Sequence, residues 1–416
     1  VELAVPAWIV ALMVALPLVF APLRALIGHK SDTHKSVLGW RRVPYIWFGS
    51  MFQFGGLALM PFALILLSGD STGPAWIGQA GAAAAFLLVG AGIHTVQTAG
   101  LALASDLATD DTRPRVVALL YIMLLAGMFA SSLVFGWLLR DFNTLILIQV
   151  IQGAAVLTIL LNVIALWKQE ARNPALTAPG RAHASFSETW ARLTQDRNTV
   201  RLLIAAGLGA AAFSMQDVLL EPYGAEVLGM SVADTTRLTA LSAFGALMGF
   251  AYCSGQLSEG GEPHRLAGLG AVAGVFAFAL VILAQPIGST AAFLLGALLI
   301  GFGSGLFAVG TLTAVMGIAR RHDSGIALGA WGAVTATATG MAVAFGGAAR
   351  DIVSGLANSG QLGPAFTGPA PGYGVVYHFE ILLLFATLVV IGPLARHTLA
   401  PPSNPSTKFG LAAYPG

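Results

Sequence analysis

The sequence predicts an all-α polytopic membrane protein built from two related halves. Three observations lead there: its hydropathy, an internal repeat and the placement of its basic residues. Of 416 residues, 56% are hydrophobic and only 10% charged, with a mean hydropathy of +0.79. In such a composition lipid, not water, is the solvent for most side chains.

A hydrocarbon core of about 30 Å takes about 20 apolar residues per helix. Eleven such runs are legible, at residues 4–27, 43–68, 75–105, 114–139, 142–168, 198–222, 233–256, 264–285, 288–318, 322–349 and 375–397. From Gly100 and from Gly310 the chain then reads as two versions of one segment, 210 residues apart. Gly100 falls on Gly310, Ala104 on Ala314, Gly136 on Gly346, and the pair Arg140-Asp141 on Arg350-Asp351. Two membrane-embedded halves follow. Residues 1–168 hold five helices and residues 198–399 hold six, joined by a linker at 169–197 and followed by a tail at 400–416. In this register the helix at 198 has no partner ahead of Val1. The plan is therefore six plus six, with a first helix expected before Val1.

If alternate loops face opposite sides, one side collects 18 of the 21 Lys and Arg residues, leaving only Arg140, Arg237 and Arg350 on the other. The positive-inside rule makes the basic side cytoplasmic and places the C-terminal tail there. Arg24, at the end of the first run, belongs to that basic set. The net charge of +2 is thus a topology signal, with no basic patch on a soluble domain for nucleic acid. The single cysteine, Cys253, lies in an apolar run and rules out an intrachain disulfide or a cysteine metal site.

The linker is polar except that Phe186, Trp190 and Leu193 fall on one side of a helix over 186–197, the pattern of an amphipathic interfacial helix. Residues 352–374, rich in Gly, Pro, Ser and Asn, are expected to form a long irregular loop on the outer face.

The most specific motif lies between the first two runs: Gly28-His29-Lys30-Ser31-Asp32, then Gly39-Trp40-Arg41-Arg42. A glycine that permits close approach, an aspartate one turn later and a basic pair beyond the loop make a latch, whose carboxylate can hold a helix N-terminus or an arginine. The spacing resembles the G-x-x-x-D…G-x-R-R signature of the major facilitator superfamily, with four extra residues before the second glycine. Its expected counterpart in the second half is Gly255 and Glu259. Asp106, with Arg113 and Arg115 nearby, reads as a second latch.

Longer stretches resemble one family within that superfamily. GHKSDTHKSVLGWRRVPYIWFGSMFQFGGLALMPFAL, ASDLATDDTRPRVVALLYIMLLAGM and GIALGAWGAVTATATGMAVAFGG are similar to the LhaA/PucC, or bacteriochlorophyll delivery, family of purple photosynthetic bacteria. The likeness runs from Val1 to about His397, and the wording from Gly39 to Tyr45 is nearer the LhaA branch, associated with light-harvesting complex 1. The resemblance implies a multi-pass protein of the cytoplasmic or intracytoplasmic photosynthetic membrane. It implies a helper in antenna assembly, with bacteriochlorophyll as bound or transferred cofactor, antenna polypeptides and the reaction centre as partners, and no catalytic motif.

Ionisable groups at mid-membrane cost about 2.5–3.5 kcal/mol or more, so each that remains is a functional candidate. Asp217 and Glu221, four apart, would share one face of the helix at 198 and carry a proton if the chain were instead a secondary transporter of a small amphipathic solute. Glu380 is expected at the outer interface. His94 and Gln97, one turn apart among Gly90, Gly92 and Gly100, are candidate pigment contacts, as is His378 beside Tyr377 and Phe379. A neutral imidazole is a good axial ligand for the magnesium of a chlorin. Gln149, Gln152 and Asn162 read as interhelical hydrogen-bonders. An enzyme is disfavoured, because no nucleotide, metal or nucleophile motif is present. The reading reached is an assembly factor for the light-harvesting apparatus, on which antenna helices dock laterally.

Overall fold

The structure, a computed structural model, describes residues 16–67, 75–109, 111–139, 143–178, 184–230, 232–319, 324–363, 366 and 368–396. Every regular element among them is helical. The first half comprises a 3-10 segment Leu16–Leu23 leading into α1 (Arg24–Asp32), α2 (Val43–Leu67), α3 (Ala75–Leu107), α4 (Arg113–Leu138) and α5 (Thr144–Leu166). After the linker helix α6 (Phe186–Gln195), the second half comprises α7 (Arg197–Ser214), a 3-10 turn Met215–Val218, and α8 (Leu220–Glu226). It continues with α9 (Val232–Ser258), α10 (Pro263–Ala284), α11 (Thr290–Ala319), α12 (Ser324–Asn358) and α13 (Ala370–Ile391). Among the described residues ten spans are long and apolar enough to cross a membrane, with α7 and α8 together forming one.

The packing repeats between the halves. In the first, α2 lies against α3 and α5; in the second, α10 lies against α11 and α13 in the same way. Glycines set how closely these helices approach. A Cβ on Gly56 would sit 2.7 Å from the Ala85 carbonyl oxygen, and one on Gly301 would sit 1.9 Å from that of Ser242. In lipid there is little hydrophobic force between helices, and such bare backbone faces let dispersion and weak polar contacts accumulate. The halves meet along two seams, α1 with α12 and α4 with α9, the latter closed by Tyr121 stacked on Phe250 at 5.0 Å.

Two boundaries differ from the sequence reading. α1 runs on to Asp32, one turn past the expected end at 27. The expected loop at 352–374 is mostly helix: α12 continues to Asn358 and α13 begins at Ala370. Its glycines do not break α12 because α13 packs directly on it, where a Cβ on Gly372 would meet Ser354 Oγ at 2.2 Å. Termination comes at Gly360, whose φ of +75° lets Gln361 N–H reach back to the Leu356 carbonyl at 3.1 Å.

The linker is more ordered than its polarity suggests. Ser185 and Glu188 form a capping box at the start of α6. The expected apolar side then packs, with Leu193 fully buried, Phe186 against Trp190 at 5.8 Å, and Phe186 edge-on to His29 at 5.6 Å. Arg140 and Asp141 lie outside the described residues, as do the tail from residue 397 and the side chain of Arg237.

Candidate functional site

One end of the α1–α12 seam carries the densest charge cluster of the described residues. Asp32, at the last turn of α1, accepts from the N–H groups of Gly325 at 3.0 Å and Ile326 at 2.9 Å, so its carboxylate caps α12 across the seam. Arg42 is wholly buried and uses its fork on every side: Asp32 at 2.5 Å, Asp106 at 3.1 Å, Ser31 at 2.6 Å and Ser324 at 2.6 Å. Ser324 in turn donates a hydrogen bond to Asp106 at 2.5 Å, and Arg41 adds a pair to the same carboxylate at 2.8 Å. The close approach requires glycine, since a Cβ on Gly28 would lie 1.9 Å from the Gly325 carbonyl oxygen.

Gly28, Asp32, Arg41 and Arg42 therefore meet as the motif spacing suggests, and Asp106 joins them. Arg113 is buried further round the seam, near Gly317 of α11. Gly39 does a separate job: its φ of +79° turns the loop against the linker, where its carbonyl accepts from Asn173 N at 2.9 Å. Sequence reasoning missed Glu170, whose carboxylate accepts from the N–H groups of Arg41, Arg42 and Val43 at 2.8–3.0 Å and so caps α2. Arg172 lies over Trp40 beside it at 4.7 Å. Among the described residues the counterpart in the second half forms no latch. Gly255 and Glu259 are both exposed, nothing lies within 4 Å of a Cβ on Gly255, and Glu259 makes no ion pair among the described residues.

Toward the outer side, the carboxylates rearrange relative to expectation. The helix carrying Asp217 and Glu221 is interrupted at Met215–Val218, so the two do not share a continuous face. Asp217 accepts from Gln216 Nε2 at 2.7 Å, while Glu221 is held by the Thr239 hydroxyl of α9. Glu380 is not interfacial but 0% exposed. Its Oε1 accepts from the Gln216 backbone N–H at 2.7 Å, filling one of the donors that the break in α7 leaves open. Among the described residues its Oε2 has no hydrogen-bond partner, and neither does the buried Tyr377 hydroxyl one turn earlier. The Tyr223 ring packs against those of Phe293, Tyr373 and Tyr377, each with centroids 5.4 Å away. Beyond it, Arg350 of the repeat's Arg-Asp pair holds Asp351 at 2.9 Å, Glu226 at 2.5 Å and the Tyr373 hydroxyl at 2.8 Å.

The pigment candidates separate. His94 is buried on α3, where glycines bring α2 and α3 together: a Cβ on Gly92 would sit 2.5 Å from the Gly49 carbonyl oxygen. That leaves no opening for a flat macrocycle on the Gly92 side. Gln97 is exposed. His378 is exposed on α13, its Nδ1 2.6 Å from the Gly374 carbonyl. A carbonyl only accepts, so Nδ1 carries the proton, and in the neutral imidazole Nε2 is then the nitrogen with the lone pair. Phe379 and Phe345, exposed side chains edge to face at 5.5 Å, lie beside it, and Leu382 and Phe385 continue the same lipid-facing stripe. Among the described residues no three His, Cys, Asp or Glu side chains are grouped to hold a bare metal ion.

The two-half bundle and its aspartate-capped seam define a membrane protein of the major facilitator fold. The structure of a bacterial homologue of the iron transporter ferroportin, outward-facing with soaked iron, superposes with a TM-score of 0.71 at 14% identity, covering 94% of this chain and 91% of that one. That likeness concerns the fold alone. The chain itself belongs to the PUCC protein family, whose model matches residues 1–399. It is 54% identical to an uncharacterized protein in the puhA-bchM intergenic region of Rhodobacter capsulatus, over all of this chain and 88% of the relative. It is also 56% identical to protein PucC of Rhodovulum sulfidophilum, over 85% of this chain and 79% of that protein.

Proposed function

We propose that this protein is an assembly factor for a photosynthetic light-harvesting complex, holding bacteriochlorophyll on its lipid-facing surface and passing it to antenna polypeptides docked alongside. The observation that carries this reading is the state of His378. An axial histidine on a chlorin magnesium needs one nitrogen free and the other hydrogen-bonded, which fixes the tautomer and raises basicity. His378 meets both conditions, through the Gly374 carbonyl, on a surface open to lipid. Phe345, Phe379 and Phe385 supply an apolar aromatic floor for a macrocycle.

A docking face for antenna helices lies on α4 and α5, which barely touch each other and turn large side chains outward. Met128, Phe129, Leu157, Leu161 and Ile164 are all exposed there. The sequence between Gly39 and Tyr45 favours complex 1 as the antenna served, with the reaction centre as a further neighbour. The membrane is then the photosynthetic cytoplasmic membrane, with the C-terminus in the cytoplasm. No step of this function makes or breaks a covalent bond.

The experiment is gentle detergent purification from a pigmented host of wild type, His378→Leu and His94→Leu, followed by near-infrared absorption and identification of copurifying small polypeptides. The reading expects bacteriochlorophyll bands and antenna subunits with wild type and His94→Leu, and loss of the pigment bands with His378→Leu. A colourless wild type, or equal pigment on all three, would overturn it.

A further inference from the structure

We propose that the seam between the halves contains a binding site for the oxyanion of a membrane amphiphile, anchored by the Arg24 guanidinium. The site is separate from His378 and does not depend on the pigment reading.

Four helices bring side chains to one level. Arg24 precedes Asp32 on α1 by eight residues and Thr98 precedes Asp106 on α3 by eight, while Tyr121 follows Arg113 on α4 and Gly332 follows Ser324 on α12 by the same number. At about 1.5 Å of rise per residue each is about 12 Å inward from its latch-level neighbour. The contacts agree with this register. Arg24 Nε donates to Thr98 Oγ1 at 3.1 Å, and a Cβ on Gly332 would fall 2.4 Å from the guanidinium carbon. The charged fork thus lies flat on bare α12 backbone, with Tyr121 within electrostatic range.

Arg24 is 5% exposed, and among the described residues the bond to Thr98 is its only hydrogen bond and no carboxylate pairs with it. Four of its five N–H groups are therefore left over. An excess of donors at this depth, with a positive charge that no described carboxylate offsets, calls for an acceptor that the described residues do not provide. A planar guanidinium matches a carboxylate or a phosphate through two parallel hydrogen bonds. The apolar surroundings select a ligand whose remainder is hydrocarbon: a fatty-acid-like carboxylate or the phosphate of a lipid headgroup.

The test uses the full chain in nanodiscs of zwitterionic lipid, titrated with oleate, with lysophosphatidic acid and with uncharged oleyl alcohol, reading binding by calorimetry. Wild type should bind at least one anion tenfold or more tighter than the alcohol. Arg24→Gln should remove that preference and Arg24→Lys should reduce it. Thr98→Val, which frees a fifth donor without touching the charge, should keep it and serves if Arg24→Gln fails to fold. Preference for oleate identifies a carboxylate ligand and preference for lysophosphatidic acid a headgroup, and either supports the site. Binding of the alcohol as tightly as the anions, or an unchanged preference in Arg24→Gln, would overturn it.

Discussion

Two arginines on the same seam live in opposite circumstances. At the mouth of the seam Arg42 is buried with two carboxylates and two hydroxyls around it, while two turns deeper Arg24 is buried with one threonine. The carboxylates show the same contrast. Asp32 is filled by an arginine and two backbone N–H groups, whereas Glu380 keeps one oxygen bare. Satisfied buried charge belongs to the architecture, where removing one partner exposes the other. A buried ionisable group left unsatisfied costs stability and is retained for something other than stability.

The comparison can be broken first at the latch. Arg42→Ala should be the most damaging single change, lowering unfolding stability in detergent by about 3–5 kcal/mol, because Asp32 is left buried without its counter-charge. Gly28→Ala comes next. Its Cβ cannot fit against the Gly325 carbonyl, so a loss of about 1–3 kcal/mol is expected as the seam is forced apart. The matching change in the other half, Gly255→Ala, meets open space and should stabilise by up to about 1 kcal/mol through helix propensity. If both alanines cost the same on thermal unfolding, the asymmetry between the half-repeats is wrong.

The unsatisfied group should behave differently. Glu380→Gln keeps an acceptor for Gln216 N–H and removes a buried carboxylate, so its thermal midpoint should equal or exceed that of wild type. Glu380→Leu strips the acceptor and should cost about 1–3 kcal/mol. A large loss for Glu380→Gln would mean that the carboxylate is architectural after all. The smallest effect belongs to Glu259→Ala, exposed and unpaired, which should stay within about 0.5 kcal/mol of wild type.

Much of this arrangement was legible in the sequence because lipid imposes strong rules. Of the eleven expected membrane runs hydropathy placed the ten that lie among the described residues, the first run being largely outside them; the repeat at Gly100 and Gly310 divided them into halves, and Gly28, Asp32 and Arg42 announced a seam by spacing alone. What escaped was whatever depends on contacts far along the chain. Glu170 caps a helix that begins 127 residues earlier, and no local pattern marks that. Arg24 looked like a helix-end cation because α1 was cut a turn short. Glu380 looked interfacial because its burial depends on the break in α7, an interruption that hydropathy does not register. Between His94 and His378 sequence offered nothing decisive, since exposure and the partner of Nδ1 are tertiary facts.

The central claim is that pigment rides on the lipid face at His378 and moves from there to antenna polypeptides. The most direct measurement mixes the purified, pigment-loaded protein with antenna polypeptides in vesicles and follows the near-infrared spectrum. The account predicts that wild type and Arg24→Gln both generate the red-shifted antenna band while His378→Leu does not. Antenna formation by His378→Leu at the wild-type rate would contradict it.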